Sequence, residues 1–186
     1  LHPRVRRQRQ MCIRDSVHVY DQACSVYEYS KDVKNSIYRF KYHNKQEYAG
    51  VYAKQMADRC GMMIRRWSPD VIIPVPIHIS RLKMRGYNQA GLIAEALGRI
   101  IGIPIDEEAL VRVIKTAPMK ELSNRERVKN LQNAFQADEK VVRYKKVLIV
   151  DDIYTTGATF DACAAVLKQA GVREVYGISL CVGDGF

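Results

Sequence analysis

The stretch Val147-Leu148-Ile149-Val150-Asp151-Asp152-Ile153-Tyr154-Thr155-Thr156-Gly157-Ala158-Thr159 constrains what this chain can fold into more than any other. Four consecutive apolar residues, three of them β-branched, predict a strand buried on both faces, as in a parallel sheet covered by helices. Asp151 and Asp152 then fall at the carboxyl end of that strand, the edge where open parallel sheets bind ligands. The run Thr155-Thr156-Gly157-Ala158-Thr159 turns amides and hydroxyls toward an anion, and a helix beginning near Thr159 adds free N–H groups and a positive dipole end. Gly157 lets the backbone come close. Carboxylates repel a phosphate but accept hydrogen bonds from vicinal ribose hydroxyls. Acids at one end and anion-binding amides at the other describe a ribose 5-phosphate.

Two plainer readings compete. A strand ending in two acids also occurs in nucleotide triphosphatases, but the G-x-x-x-x-G-K-[ST] loop that such a site needs is nowhere in the chain. A lone Asp-Asp pair is more often an exposed turn or helix cap; the whole thirteen-residue pattern outweighs that reading here.

The remaining chain alternates strand and helix. Val33, Ile37, Tyr38 and Phe40 recur at helical intervals over 31–42, and Tyr48, Val51, Tyr52, Met56 and Met63 do so over 46–64. Residues 70–76 read as a short buried strand ended by Pro74 and Pro76, and 88–100 as a helix carrying Leu92, Ile93, Ala96, Leu97 and Ile100. A strand over 110–114, a charged segment over 123–131, strands at 147–151 and 174–181 and a helix at 159–170 complete the pattern. The expected fold is α/β, a central, mostly parallel sheet with helices on both faces. No internal repeat or low-complexity linker interrupts it.

The Val147–Thr159 segment resembles the 5-phosphoribosyl-1-pyrophosphate (PRPP) signature of type I phosphoribosyltransferases. Pro74-Val75-Pro76-Ile77-His78, with Arg81 and Arg85-Gly86-Tyr87-Asn88-Gln89-Ala90, resembles the ComF branch of that superfamily, which is associated with competence and DNA uptake in bacteria. Glu121-Leu122-Ser123-Asn124-Arg125-Glu126-Arg127, then Asn130 and Ala134-Phe135, fits the same branch, as does Phe40-Lys41-Tyr42 upstream. The likeness runs over residues 24–186 in the expected order. It implies a type I phosphoribosyltransferase-like domain at 29–186 behind a basic extension at 1–28.

That resemblance implies roles. Asp151 and Asp152 would hold the ribose 2′ and 3′ hydroxyls and stabilise positive charge on the ring as pyrophosphate leaves C1. Thr155, Thr156, Gly157, Ala158 and Thr159 would hold the 5-phosphate. The departing pyrophosphate needs magnesium, carried on PRPP, and cationic or amide donors. One source is the loop with His78, Arg81, Lys83, Arg85 and Gly86; the other is a lid over 115–127 with Lys120, Arg125 and Arg127, which would exclude water. Solvated basic surface competes as an explanation for Lys83 and Lys120, loop closure for His78, and capping for Tyr87 and Asn88.

Composition sets the outer bounds. A chain of 186 residues with 47% hydrophobic content suffices for one well-buried domain. No run approaches the roughly 18 apolar residues that span a bilayer, and the amino terminus lacks the apolar core of a secretory signal, so the expectation is a cytoplasmic protein without membrane insertion. Five widely spread cysteines, Cys12, Cys24, Cys60, Cys163 and Cys181, form no C-x-x-C pair and point to reduced thiols. ComF relatives often begin with paired cysteines resembling a zinc ribbon; only Cys12 and Cys24 stand in that region, so no structural zinc is expected. Cys163, between two alanines, reads as a packing residue.

Residues 1–16 stand apart as a disordered tail or foreign sequence. Arg4, Arg6, Arg7, Arg9 and Arg14 against Asp15 contribute five minus one, or +4, of the formal +10. The remaining charge supports nucleic-acid binding only weakly. Two functional classes stay open. One is a magnesium-dependent phosphoribosyltransferase that passes ribose 5-phosphate to an unknown nitrogen acceptor. The other is a non-catalytic PRPP sensor or DNA-uptake accessory whose partners include single-stranded DNA or competence machinery. A homo-oligomer is compatible with either.

Overall fold

A computed structural model describes residues 11–12, 18–28, 30–114, 131 and 133–183 of the chain. Five strands form the main sheet: β1 (Met11–Cys12), β2 (Gln22–Glu28), β3 (Val71–Pro74), β6 (Lys146–Tyr154) and β7 (Glu174–Val182). Their order is β1-β2-β7-β6-β3, with β1 antiparallel and the other pairings parallel. The helices are α1 (Lys31–Tyr42), α2 (Tyr48–Trp67), α3 (Ile79–Arg85), α4 (Gln89–Ile101) and α5 (Ala158–Gln169). Two short strands, β4 (Leu110–Arg112) and β5 (Phe135–Ala137), make a separate antiparallel ribbon. Among the described residues, no helix is long and apolar enough to cross a membrane.

Burial explains the layering. Along β6 the side chains alternate between two apolar clusters. Leu148 and Val150 join Phe40, Met56, Ile64, Ile93 and Leu97 under α1, α2 and α4, while Val147 and Ile149 join Phe160, Cys163, Ala164 and Leu167 of α5 on the other face. The ribbon adds Leu110 and Phe135 to this second cluster. Helices therefore cover both faces, as expected, and the positions of α1, α2, α4, α5, β3 and β7 follow the sequence periodicity closely. Pairing with β7 keeps β6 in the sheet as far as Tyr154, beyond the end expected at 151.

Three features depart from the sequence reading. Gln22–Glu28, placed in the amino-terminal extension, is a strand of the sheet that pairs with β7 from Gln22↔Tyr176 to Glu28↔Val182, so the sheet begins before residue 29. The strand expected at 110–114 lies off the parallel sheet, pairing with β5 instead. Cys24 of β2 and Cys60 of α2 are joined by a disulfide, which corrects the expectation of reduced thiols at these positions; packing α2 across β2 brings together sulfurs 36 residues apart. Cys163 and Cys181 are free and buried. The segment 1–10 and the lid region 115–127 lie outside the described residues.

α5 lies against the sheet because β7 has no side chain beneath it at one point. A Cβ on Gly177 would come within 2.4 Å of two ring atoms of Phe160. Gly177→Ala should therefore cost roughly 1–3 kcal/mol, or roughly 3–10 °C in Tm. Gly50→Ala, in α2 with nothing within 4 Å of the new methyl, should leave Tm level or raise it. Calorimetric melting of both variants checks this, and equal melting for the two would contradict the packing argument.

Candidate functional site

The acid pair sits where β6 leaves the sheet. β3 ends beside it, with Pro74 opposite Val150 and the Val75 amide donating to the Val150 carbonyl at 2.9 Å. On the other side the Gly183 amide donates to the Tyr154 carbonyl at 2.6 Å. Strand alternation sends the two acids to opposite faces. Asp152 is buried on the α1 side, in an ion pair with the Lys41 ammonium. Asp151 faces α5 and the ribbon, where the charges of Arg112 and Asp151 act on one another beside Cys163. Its Oδ1 accepts from the Asp152 amide at 2.8 Å. Burial, then the neighbouring Asp152 charge, pushes the Asp151 carboxyl up to about 8. Burial likewise raises the Cys163 and Cys181 thiols, which argues against either as a nucleophile.

The Thr/Gly loop follows directly. Gly157 takes φ 77°, a left-handed turn that only glycine adopts at no steric cost, and serves as the N-cap of α5 with no side-chain cap bond. The first amides of α5 thus face the loop, and a narrow cleft beside it is lined by Asp151, Tyr154, Thr155, Gly157 and Thr159. The Thr156 hydroxyl is buried without a hydrogen-bond partner. The structure thus brings Asp151, Thr155, Gly157 and Thr159 together, with Thr156 and Ala158 on the same turn.

An unforeseen group braces this loop. The His18 Nδ1 lies 2.8 Å from Asp161 Oδ2 of α5, the Val19 amide donates to Asp161 Oδ1 at 2.7 Å, and the Tyr20 and Tyr154 hydroxyls share a hydrogen bond of 2.7 Å. His18 stacks on Tyr20, and both crowd the position a Cβ on Gly157 would fill. No motif announces these contacts, because His18 and Asp161 are separated by 143 residues.

The basic loop over 78–86 divides into distinct parts. His78 is the N-cap of α3, accepting from the Ser80 amide at 3.2 Å with the Ser80 hydroxyl at 2.9 Å, so loop closure accounts for it. Gly86 ends α3 at φ 83°. Arg81 lies close enough to Arg112 for its charge to lower the guanidinium there, after burial. Arg85 donates to Gln89 Oε1 at 2.9 Å and to the Tyr42 hydroxyl at 3.2 Å, and lies over the Tyr42 ring. Arg85 Nε, Asn88 Oδ1 and Gln89 Nε2 are buried without partners. Arg125 and Arg127 lie outside the described residues, as does Lys120. Sequence reasoning missed Lys41 and Arg112 as site residues; Phe40-Lys41-Tyr42 was the one available signal for the first. Among the described residues, no three His, Cys, Asp or Glu side chains form a metal cage.

A family model described as the phosphoribosyl transferase domain matches residues 60–183. Competence protein F of Haemophilus influenzae is 38% identical over 109 residues, covering 58% of this chain and 48% of that protein. DNA utilization protein YhgH of Salmonella typhi is 32% identical over 166 residues, covering 87% of this chain and 72% of that protein. Competence protein ComFC of Bacillus subtilis is 30% identical over 162 residues, covering 86% of this chain and 62% of that protein. The matched part thus spans about half the length of the first relative and 62% to 72% of the other two.

The Asp151 environment makes a stability prediction. A carboxyl raised from its ordinary range to about 8 binds a proton in the folded state that the unfolded chain has already released, so its contribution is full below about pH 4 and is lost as pH rises through about 8. Asp151→Asn removes the penalty. The variant should melt level with wild type near pH 4 and roughly 3–6 °C above it near pH 9, a gain on the order of 1–2 kcal/mol. A melting difference that does not change with pH would contradict the assigned environment.

Proposed function

This chain belongs to the ComF family of the type I phosphoribosyltransferase superfamily, and we infer that its pocket at the carboxyl edge binds PRPP and passes ribose 5-phosphate to a nitrogen acceptor. The observation that carries this reading is the set of uncommitted buried polar atoms on the two sides of the acid pair. The Thr156 hydroxyl lies on one side, and Arg85 Nε and Gln89 Nε2 lie on the other. Buried donors without partners are costly unless a ligand takes them up. A molecule with a phosphate at one end and a pyrophosphate at the other carries acceptors for both sets of donors.

In this reading the Thr155–Thr159 turn and the α5 amides hold the 5-phosphate. The acid pair serves the ribose, whose hydroxyls need acceptors and whose ring gains positive charge as the C1–oxygen bond to pyrophosphate breaks. A nitrogen of the acceptor bonds C1, and its surplus proton leaves with the pyrophosphate. Arg81 and Arg85 stand on the pyrophosphate side, with Arg125 and Arg127 assigned there from sequence. Magnesium would arrive with the substrate, where it would neutralise charge on the departing pyrophosphate.

A specific surface favours a second reading, an accessory of DNA handling, in line with the names of the relatives. Tyr38 and Tyr42 are exposed on α1, their rings 5.0 Å apart with His43 5.5 Å from Tyr38, beside Arg39 and Lys45. Exposed rings among cations suit stacking of single-stranded bases. Cytoplasmic partners in DNA uptake belong to this reading.

Titration calorimetry of magnesium–PRPP, followed by pyrophosphate release with purine, pyrimidine and amine acceptors, tests the first reading. Binding that Asp151→Asn/Asp152→Asn weakens at least about tenfold, together with release for one acceptor, is expected. Binding without release for any acceptor would favour the sensor or DNA accessory, and no binding at all would overturn the PRPP site.

A further inference from the structure

α5 carries a carboxylate in its first turn. The Asp161 amide donates to the Gly157 carbonyl at 2.8 Å, so this acid sits where the helix begins. The helix dipole favours an acid there, and a bound phosphate draws on the same field. An uncompensated Asp161 charge would compete with that phosphate and repel it. The chain thus places one anion beside the turn that is to receive another.

The segment before β2 takes this charge up. Both carboxylate oxygens are held by consecutive residues: His18 Nδ1 lies 2.8 Å from Oδ2, and the Val19 amide donates to Oδ1 at 2.7 Å. The His18 side chain is 11% exposed and that of Asp161 28%, so water screens the pair only in part. His18 is fixed in turn by stacking on Tyr20 at 4.5 Å, and its Nε2 lies 3.5 Å from the Tyr154 hydroxyl. Burial raises both phenols, so they stay neutral, and Asp21 has its own countercharge in Lys168 at 2.9 Å. The cluster also touches the turn itself. A Cβ on Gly157 would lie 2.6 Å from the Tyr154 hydroxyl, 2.9 Å from His18 Cε1 and 3.1 Å from the Tyr20 hydroxyl.

We propose that His18 is a positioning residue of the Thr155–Thr159 turn: it holds the Asp161 carboxylate toward the 18–19 segment and, when protonated, neutralises it, which keeps the first amides of α5 open to the 5-phosphate. Histidine changes charge near neutral pH. Phosphate affinity at the turn is therefore higher where the imidazole is protonated and falls as rising pH removes that proton. The inference rests on the reading of this turn as the phosphate end of a PRPP site.

Calorimetry of ribose 5-phosphate and of magnesium–PRPP on the full chain tests it, with melting recorded for each variant. At about pH 6, His18→Gln should weaken both ligands by the same factor, about fivefold, because both carry the 5-phosphate; at about pH 8.5 it should bind within about twofold of wild type. His18→Gln/Asp161→Asn has no charge left to neutralise. It should match wild type within about twofold at about pH 6 and bind about fivefold tighter at about pH 8.5. This comparison stands alone if His18→Gln does not fold, and comparing proteins at one pH cancels the titration of the ligand phosphate and of Asp151. A brace acting by packing alone would leave the double variant no tighter than His18→Gln or wild type at either pH, and that result would overturn the proposal while leaving the PRPP site standing. A loss confined to PRPP would overturn it equally, since it would lie away from the 5-phosphate. Wild type binding neither ligand would overturn the PRPP reading and this inference with it.

Discussion

Parallel pairing of β6 between β3 and β7 is the constraint on which the site depends. It uses the backbone hydrogen-bonding groups of β6 on both sides, with β3 as far as Val150 and with β7 as far as Tyr154, so the chain must leave the sheet in three residues and start α5 at once. A turn that short needs a residue at positive φ, and Gly157 supplies it. The same turn leaves the first amides of α5 without partners of their own and aims them at the strand end. The acids, the loop and the dipole end of a helix are thus one consequence of where β6 stops, and the brace of His18, Tyr20 and Asp161 holds that geometry from outside.

Electrostatics then divides the pocket. Asp152 has its countercharge in Lys41, whereas Asp151 shares its surroundings with the Asp152 charge and is buried enough to hold its proton well above the ordinary carboxylate range. The charges of two adjacent acids repel, and sending the side chains to opposite faces of the strand puts the single ammonium of Lys41 beside Asp152. Arg112, lowered by burial and then by Arg81 against the opposing pull of Asp151, extends the balance into the ribbon, so the charges of the ribbon, α3 and β6 act on one another.

What the sequence reveals is what is encoded locally. Val147–Val150 declares a buried strand by composition alone, and the Thr/Gly run declares its turn, so fold class, the main helices and the turn into α5 are legible without coordinates. β2 is not. Gln22-Ala23-Cys24-Ser25-Val26-Tyr27-Glu28 lacks clear alternation, and its buried Ser25 is satisfied by Ser179, 154 residues away. The Cys24–Cys60 bond, the Lys41–Asp152 pair and the place of Arg112 beside Asp151 are likewise products of packing between distant elements. His78 is a local case: the sequence leaves ligand contact and loop closure both open, and its side chain caps α3.

The central claim is that the turn from β6 into α5 is an anion site serving a ribose held by acid. A crystal structure of the protein with magnesium and PRPP tests it most directly. The account predicts the 5-phosphate on the amides of 155–159 within hydrogen-bond distance of the Thr156 hydroxyl, and a ribose hydroxyl on Asp151. A phosphate bound elsewhere, with this turn empty at saturating ligand, would contradict it.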